Sequence, residues 1–322
     1  MKKFVVFAFL TILICYVFGW SAHETLTYLI VQSLPNKDDL VPITPYSYVE
    51  SRVYNMEYLK LEDYCGDFIE NFVPKWAVFF PPDPKPQDGK VPVWQILTIY
   101  SVEPDLGMDE GLQLSPLQDL IGSSKGVRHM KYRLLVVDFF EGSESVLYFI
   151  NMSREAFKKG DRYWGYRFLA RALHYLQDLS MPYHNAPGPL FDTVRGIFDK
   201  DTALMLAYTH FSYDEYMAYL LYRNDEETIN AILHAEPKKV RNTRELIQRV
   251  RLLGLRNISK VHRLMTHHFG EDLKGRILGL EDFERKSTEL QELKQITISI
   301  ARDLSSLLKG FLLDYLKEVG EL

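Results

Sequence analysis

The stretch DRYWGYRFLARALHYLQDLSMPYH (161–184) constrains the fold more than any other part of the chain. Asp161 stands where a helix N-cap belongs, and Gly160 before it can close a preceding helix. Pro182 ends the run, because its ring disfavours a helical residue before it. The spacing therefore predicts a helix that stops near residue 181. His174 and Asp178 lie four apart within it, so both side chains leave the same face. The break at Pro182 turns His184 back toward that face.

The rest of the chain reads in the same way. Residues 23–34 carry Leu26, Leu29, Ile30 and Leu34 at helical spacing. The aromatic-rich 46–80 predicts two helices, and PPDPKPQDGKVP (81–92) predicts a loop or linker. Residues 93–128 read as loops around a short helix. Further helices are expected at 143–159 and 201–222, with two or three more in 225–277. Residues 286–318 place Leu293, Ile296, Ile300, Leu304, Leu307 and Phe311 on one stripe. No useful strand alternation and no fixed-period repeat appear. The expected fold class is all-α, with a single multi-helical domain over 20–322.

The N-terminus has its own pattern. Met1, Lys2 and Lys3 precede fifteen apolar or weakly polar residues, Phe4 to Phe18. A basic start followed by a short apolar run is a signal peptide, and a spanning helix needs about 20 apolar residues. Val17 and Gly19 suit the −3 and −1 positions of a cut before Trp20. The expectation is an exported protein with a signal peptide at 1–19; the alternative is an uncleaved leader that anchors it. Cys65 is then the only cysteine left, so no internal disulfide can form. A large core, bound metal, or both must hold the fold. Losing Lys2 and Lys3 leaves 36 basic against 43 acidic residues, a net charge of −7. That balance argues against duplex nucleic acid as a partner, but not against a small phosphodiester held by metal.

Nine histidines supply the candidate chemistry. His174, Asp178 and His184 are followed by a second four-residue pair, His210 and Asp214. Imidazole and carboxylate atoms at these spacings suit zinc. One such pair is commonly a surface hydrogen bond; two pairs and a His after a helix break, within about 40 residues, point to metal.

These motifs resemble the zinc-dependent phospholipase C family, which includes bacterial alpha-toxins and is related to fungal single-strand nucleases. The matching residues are His174, Asp178 and His184, then His210 and Asp214, with Trp20 as the processed N-terminus and His23 on the first helix. "EPDLGMD" offers Asp105, with Asp109 as the alternative, and "VRHMKY" offers His129. The resemblance implies an all-helical fold and three zinc ions per chain. One would be held by Asp105, His129, His174 and Asp178. A second would be held by His184, His210 and Asp214. A third would take the Trp20 amine and carbonyl, His23 and a bridging Asp178. It also implies phosphodiester hydrolysis by a zinc-bound hydroxide, with Asp105 as the catalytic residue that orients or deprotonates the water. The substrate would be a phospholipid or another phosphodiester.

Arg128 and Lys131, with Arg133, flank His129 and could meet an anionic substrate, or form a solvated face. KWAVFFPP (75–82) could touch a membrane surface transiently, or pack under the long loop. His234 and His262, with no carboxylate at ligand spacing, read as structural, and the adjacent His267 and His268 point apart on a helix and read as surface or core. The glycosylation-like NMS at 151 and NIS at 257 fall in expected helices. The acidic and aromatic headgroup cage of choline-preferring relatives has no match: Leu106 follows Asp105, Gly126 precedes His129 by three, and His23 takes the third place after Trp20. Met108 and Met130 stand where the nucleases carry an arginine and an aromatic residue. The competing readings are a single-strand nuclease or 3′-nucleotidase on the same metal core, and a helical protein whose zinc is structural. No obligate protein partner is evident.

Overall fold

The computed structural model describes residues 22–48, 65–107, 112, 114–115, 128–134 and 137–322. Most of them are helical. The helices are α1 (His23–Val31), α2 (Phe68–Phe72), α3 (Val93–Ile99), α4 (Gly142–Lys158), α5 (Arg162–Ser180), α6 (Leu190–Gly196), α7 (Lys200–Tyr222), α8 (Glu226–Leu233), α9 (Thr243–Phe269), α10 (Leu280–Arg285) and α11 (Gln291–Glu318). Single 3-10 turns lie at Tyr100–Val102, Pro182–His184 and Asp272–Lys274. No helix among the described residues is long and apolar enough to cross a membrane. The leader at 1–19, the cut site and Trp20 lie outside the described residues.

Helix α5 is the axis of the fold. The Asp161 carboxylate accepts from the Trp164 amide at 3.3 Å, and Gly160 takes the left-handed backbone (φ 77°) that closes α4. Every residue from Tyr163 to Ser180 is buried. α4 packs along it as a hairpin partner, and α9, α3 and the Tyr100–Val102 turn cover other sides. A helix buried all round usually reads as apolar throughout. This one carries Arg167, Arg171, His174 and Asp178 at helical spacing, so a polar stripe runs through the core. Buried polar groups need partners, and the fold is arranged to supply them.

The C-terminal helices form a second layer. The stripe on α11 from Leu293 to Phe311 is buried, and α11 packs on α8 and α9. Lys309 closes the C-terminal end of α8, its ammonium donating to the carbonyls of Ile232, Leu233 and Ala235 at 2.9, 2.7 and 3.2 Å.

Several expectations change. Two small antiparallel pairs are present: β1 (Leu40–Pro42) with β2 (Lys90–Pro92), and β3 (Tyr132–Leu134) with β4 (Val137–Phe139). Each strand is three residues long, too short to show alternation in sequence. The proline-rich 81–92 is thus not only a linker, since it ends in β2. It is also pinned at its start, where the Asp83 carboxylate accepts from the amides of Gly66 and Phe68 at 2.7 and 2.9 Å. Within 46–80 the described residues hold one short helix, and 49–64 lie outside them. In 75–82, Trp76 and Phe79 pack against the core, while Val78 and Phe80 are exposed. Asn151 and Asn257 both sit in helices, α4 and α9. Cys65 is free and buried, and burial first of all pushes its thiol up to about 12.

Candidate metal centre

Four elements and two loops converge at the C-terminal end of α5. α1 brings His23 and α5 brings His174 and Asp178. The turn after Pro182 brings His184, and α7 brings His210 and Asp214. Two loop residues join them: Asp105, just beyond the Tyr100–Val102 turn, and His129, just before β3. Three groups of ligand-type atoms result: His23, His174 and Asp178; Asp105, His129 and His174; and His184, His210 and Asp214.

Asp178 is central. Its Oδ2 lies 2.8 Å from His129 Nδ1 and 3.1 Å from His174 Nε2. Its Oδ1 lies 3.4 Å from His23 Nε2 and 3.5 Å from His184 Nδ1. Asp105 Oδ1 lies 3.6 Å from His174 Nε2 and 3.7 Å from His129 Nδ1, and its Oδ2 lies 3.8 Å from His23 Nε2. The second cluster is held by Asp214 Oδ2, 3.2 Å from His210 Nε2 and 3.3 Å from His184 Nε2. Asp105, at 13% exposure, is the most open of these side chains; Asp178, His23, His174 and His184 are fully enclosed.

The outer hydrogen bonds aim the rings. His23 Nδ1 meets Gln177 Oε1 at 2.8 Å, and Gln177 Nε2 donates to Thr27 Oγ1 at 2.6 Å. Because an amide oxygen can only accept, His23 Nδ1 carries the proton and Nε2 presents its lone pair to the cluster. His184 Nδ1 likewise donates to the His129 carbonyl at 3.0 Å, which leaves Nε2 facing Asp214. The N-terminal end of α1 is also held. Ala22 adopts the left-handed region at φ 73°, near the Tyr222 hydroxyl. The same hydroxyl donates to the buried Glu24 carboxylate at 2.8 Å.

The electrostatics call for positive charge. Burial pushes His174 down to about 3, helped by the neighbouring His23, and burial lowers His210 as well. At His184 burial opposes protonation, but Asp178 and Asp214 outweigh it and raise the ring to about 9. His23 shifts upward too, with Asp178 and Asp105 overcoming its burial. Burial also penalises the Asp178 carboxylate, yet the imidazoles of His174, His184 and His129 hold it well below the usual range. His210 and His184 do the same for Asp214. Among the described residues no Lys or Arg nitrogen lies within 4 Å of Asp178 or Asp214. Asp178 Oδ1, His210 Nε2 and Asp214 Oδ1 are buried without a hydrogen bond. His129 Nδ1 and His174 Nε2 approach to 2.9 Å, both aimed at the same carboxylate oxygen. Unpaired carboxylate oxygens facing imidazole nitrogens in a dry site fit a divalent cation, which would replace the ring protons as counter-charge.

Eight of the nine ligands expected from sequence therefore come together; Trp20 and the alternative Asp109 lie outside the described residues. Arg128 and Lys131 are engaged elsewhere. Arg128 is fully buried and donates to the Leu112 carbonyl at 2.9 Å. Lys131 gives its ammonium to the Phe140 carbonyl at 2.7 Å and to both Glu144 oxygens at 2.7 and 2.8 Å. His262 meets Tyr183 Oη at 3.0 Å, and His234 and His267 are exposed, in keeping with structural or surface roles.

Two supports were not evident from sequence. Gln177 is one; its place three residues after His174 was the available signal. The other is Glu103, buried between two arginines of α5. Its Oε1 accepts from Arg167 Nε at 2.9 Å and its Oε2 from Arg171 Nε at 2.7 Å. Compared with known proteins, the chain matches no family model and no curated protein.

Proposed function

We propose that this chain is a zinc-dependent phosphodiesterase of the phospholipase C type, built on the helical fold of that family and working outside the cytoplasm after loss of residues 1–19. The carrying observation is the sharing of ligands. His174 belongs to two of the three groups, and Asp178 reaches both of these and, through His184, the third. A structural zinc site is closed, with four ligands to one ion. A cluster with a bridging carboxylate and one partly open carboxylate suits catalysis better.

Bound zinc would supply Lewis acidity to a phosphoryl oxygen and bring the pKa of a water to about 7. The chain's own residues do the rest. Asp178 would help hold the ions, with His23, His129 and His174 around it. The Gln177 and His129 carbonyl oxygens fix the rings of His23 and His184, so no rotamer search precedes binding. Asp105, the most open of these carboxylates, would orient a water and accept its proton at a carboxylate oxygen. The absence of a free cation at the positions of Arg128 and Lys131 leaves phosphate charge to be met by metal.

The test is metal content of the secreted protein, followed by assay on a generic phosphodiester, on phospholipid vesicles and on single-stranded DNA. Two or more tightly bound zincs with vesicle or generic turnover are expected. Fewer than two zincs refutes the cluster. Preference for DNA selects the nuclease reading, and zinc without turnover selects a structural role.

A further inference from the structure

Beyond α7, α9 turns one face toward the loops that carry the cluster's ligands. Arg251 of α9 is 7% exposed and points at the two loops that carry His129 and His184. Its Nη2 donates to the Lys131 carbonyl at 2.8 Å, two residues past His129. Its Nε donates to Asn185 Oδ1 at 3.3 Å, one residue past His184. Its charge is met by Asp138 of β4, at 2.7 Å from Nη1. Asn185 is itself fully buried, and its Nδ2 donates to the carbonyls of Leu179 and Met181 at 2.7 and 2.9 Å, where α5 ends just past Asp178.

The same two loops are joined by backbone. The Lys131 amide donates to the His184 carbonyl at 2.8 Å, and the Arg133 amide to the Asn185 carbonyl at 2.9 Å. Gly254 lies one helical turn beyond Arg251 and touches this seam. A Cβ there would stand 2.6 Å from Asn185 Nδ2 and 2.8 Å from the Met181 carbonyl. Only a bare backbone lets α9 come this close.

We infer that Arg251 and Asn185 form a positioning clamp: one guanidinium and one amide set the distance between the His129 loop, the His184 turn and the end of α5, and so the spacing between the two metal clusters. The inference rests on the metal reading and assigns α9 a task in the site beyond scaffolding. Arg251 touches no substrate. It acts through Asn185 and the Lys131 carbonyl, and a lysine cannot span the three acceptors that the planar fork reaches.

The experiment uses the full processed protein and three variants: Arg251→Lys, Asn185→Asp and Asp138→Asn. Each is stripped with chelator and titrated with zinc against a chromophoric competitor. A parallel sample is loaded with cobalt and read by visible absorption. Thermal melts of the metal-free proteins supply the control. Arg251→Lys is expected to weaken zinc binding about tenfold or more, as loss of an outer-shell partner commonly does, and to alter the cobalt bands. Asn185→Asp keeps the acceptor for Arg251 but loses both carbonyl contacts, and should show the same losses if it folds. Asp138→Asn removes the counter-charge that Arg251 shares with Arg133, leaves the Arg251 contacts to Lys131 and Asn185 in place, and should lower the melt with little change in affinity. A lower melt with unchanged affinity and unchanged cobalt spectrum in Arg251→Lys overturns the clamp. Failure of the parent protein to bind zinc overturns the metal reading instead, so the two outcomes are distinct.

Discussion

Replacing Glu103 by glutamine should unfold the core around α5 more than any surface change could. Glu103, Arg167 and Arg171 are all fully or nearly fully buried, so solvent screens none of their charges. Burial disfavours the Glu103 carboxylate, but Arg167 and Arg171 outweigh it and hold its pKa below the ordinary value. The two cations do not lean on it equally. Arg167 is also sandwiched between the rings of Tyr100 and Trp164, at 4.1 and 4.3 Å from their centres. Arg171 Nη1 and Nη2 make no hydrogen bond, so its Nε contact with Glu103 is the polar link that remains. Removing one partner of a buried pair costs about 3–5 kcal/mol. At about 2 °C per kcal/mol for a chain of this size, the melt should fall by roughly 6–10 °C. Urea unfolding with chelator present measures this without the metal's contribution. The double variant Glu103→Gln with Arg171→Met should recover about half or more of the loss, because an apolar side chain no longer needs the counter-charge. A loss under about 1 kcal/mol in Glu103→Gln, or no recovery in the double variant, would refute the reasoning.

Three further outcomes are expected. Chelation should lower the melting temperature sharply, since a structural zinc site in a small domain contributes on the order of 10–16 kcal/mol of apparent binding energy; calorimetry in EDTA checks this, and an unchanged melt counts against the cluster. Asp105→Asn should lose most phosphodiesterase activity while circular dichroism stays native, and full activity would remove Asp105 from the chemistry. Asp225 caps α8 and pairs with Lys294 at 2.6 Å; burial works against its carboxylate, but Lys294 and Thr228 hold its pKa below the ordinary value. Its stabilising share is therefore present above the unfolded value near pH 4 and is lost as pH falls through the lower folded value. Asn caps as well as Asp, so Asp225→Asn should cost only the Lys294 ion pair, at most about 1 kcal/mol at neutral pH, and flatten that acid limb, which urea midpoints at several pH values report.

What could be read in the sequence was local. His174, Asp178 and His184 were legible because helix period and a proline break fix where side chains point. His210 and Asp214 followed by the same rule, and the α11 stripe by its period. Asp105 and His129 carried no geometric signal of their own, and only folding brings both toward His174. Gln177 was invisible for a different reason: a helical glutamine normally faces water, and it is buried here because α5 is covered on every side. Arg251 and Asn185 lie 66 residues apart and meet through tertiary packing alone. Arg128 and Lys131 read equally as an anion site or a solvated face, and their partners at Leu112 and Glu144 come only from the fold. The short strands escaped because three residues cannot display a period of two.

The left-handed Ala22 has a consequence for how the protein would mature. A side chain in that region costs about 1–2 kcal/mol and persists only where its surroundings insist; here the Ala22 carbonyl accepts from the Leu26 amide at 3.1 Å as α1 begins. The backbone is therefore registered at residue 22, the third residue after the proposed cut. Each added residue lengthens the chain by up to about 3.5 Å, against a metal–ligand tolerance near ±0.2 Å. On the proposed reading, Ala22 acts as the zero of a ruler. A peptidase that errs by one residue would yield molecules of nearly equal mass and equal fold but unequal zinc content. Sorting a secreted preparation by exact N-terminal mass should then also sort it by activity, making processing fidelity a form of quality control that no later folding step could repair.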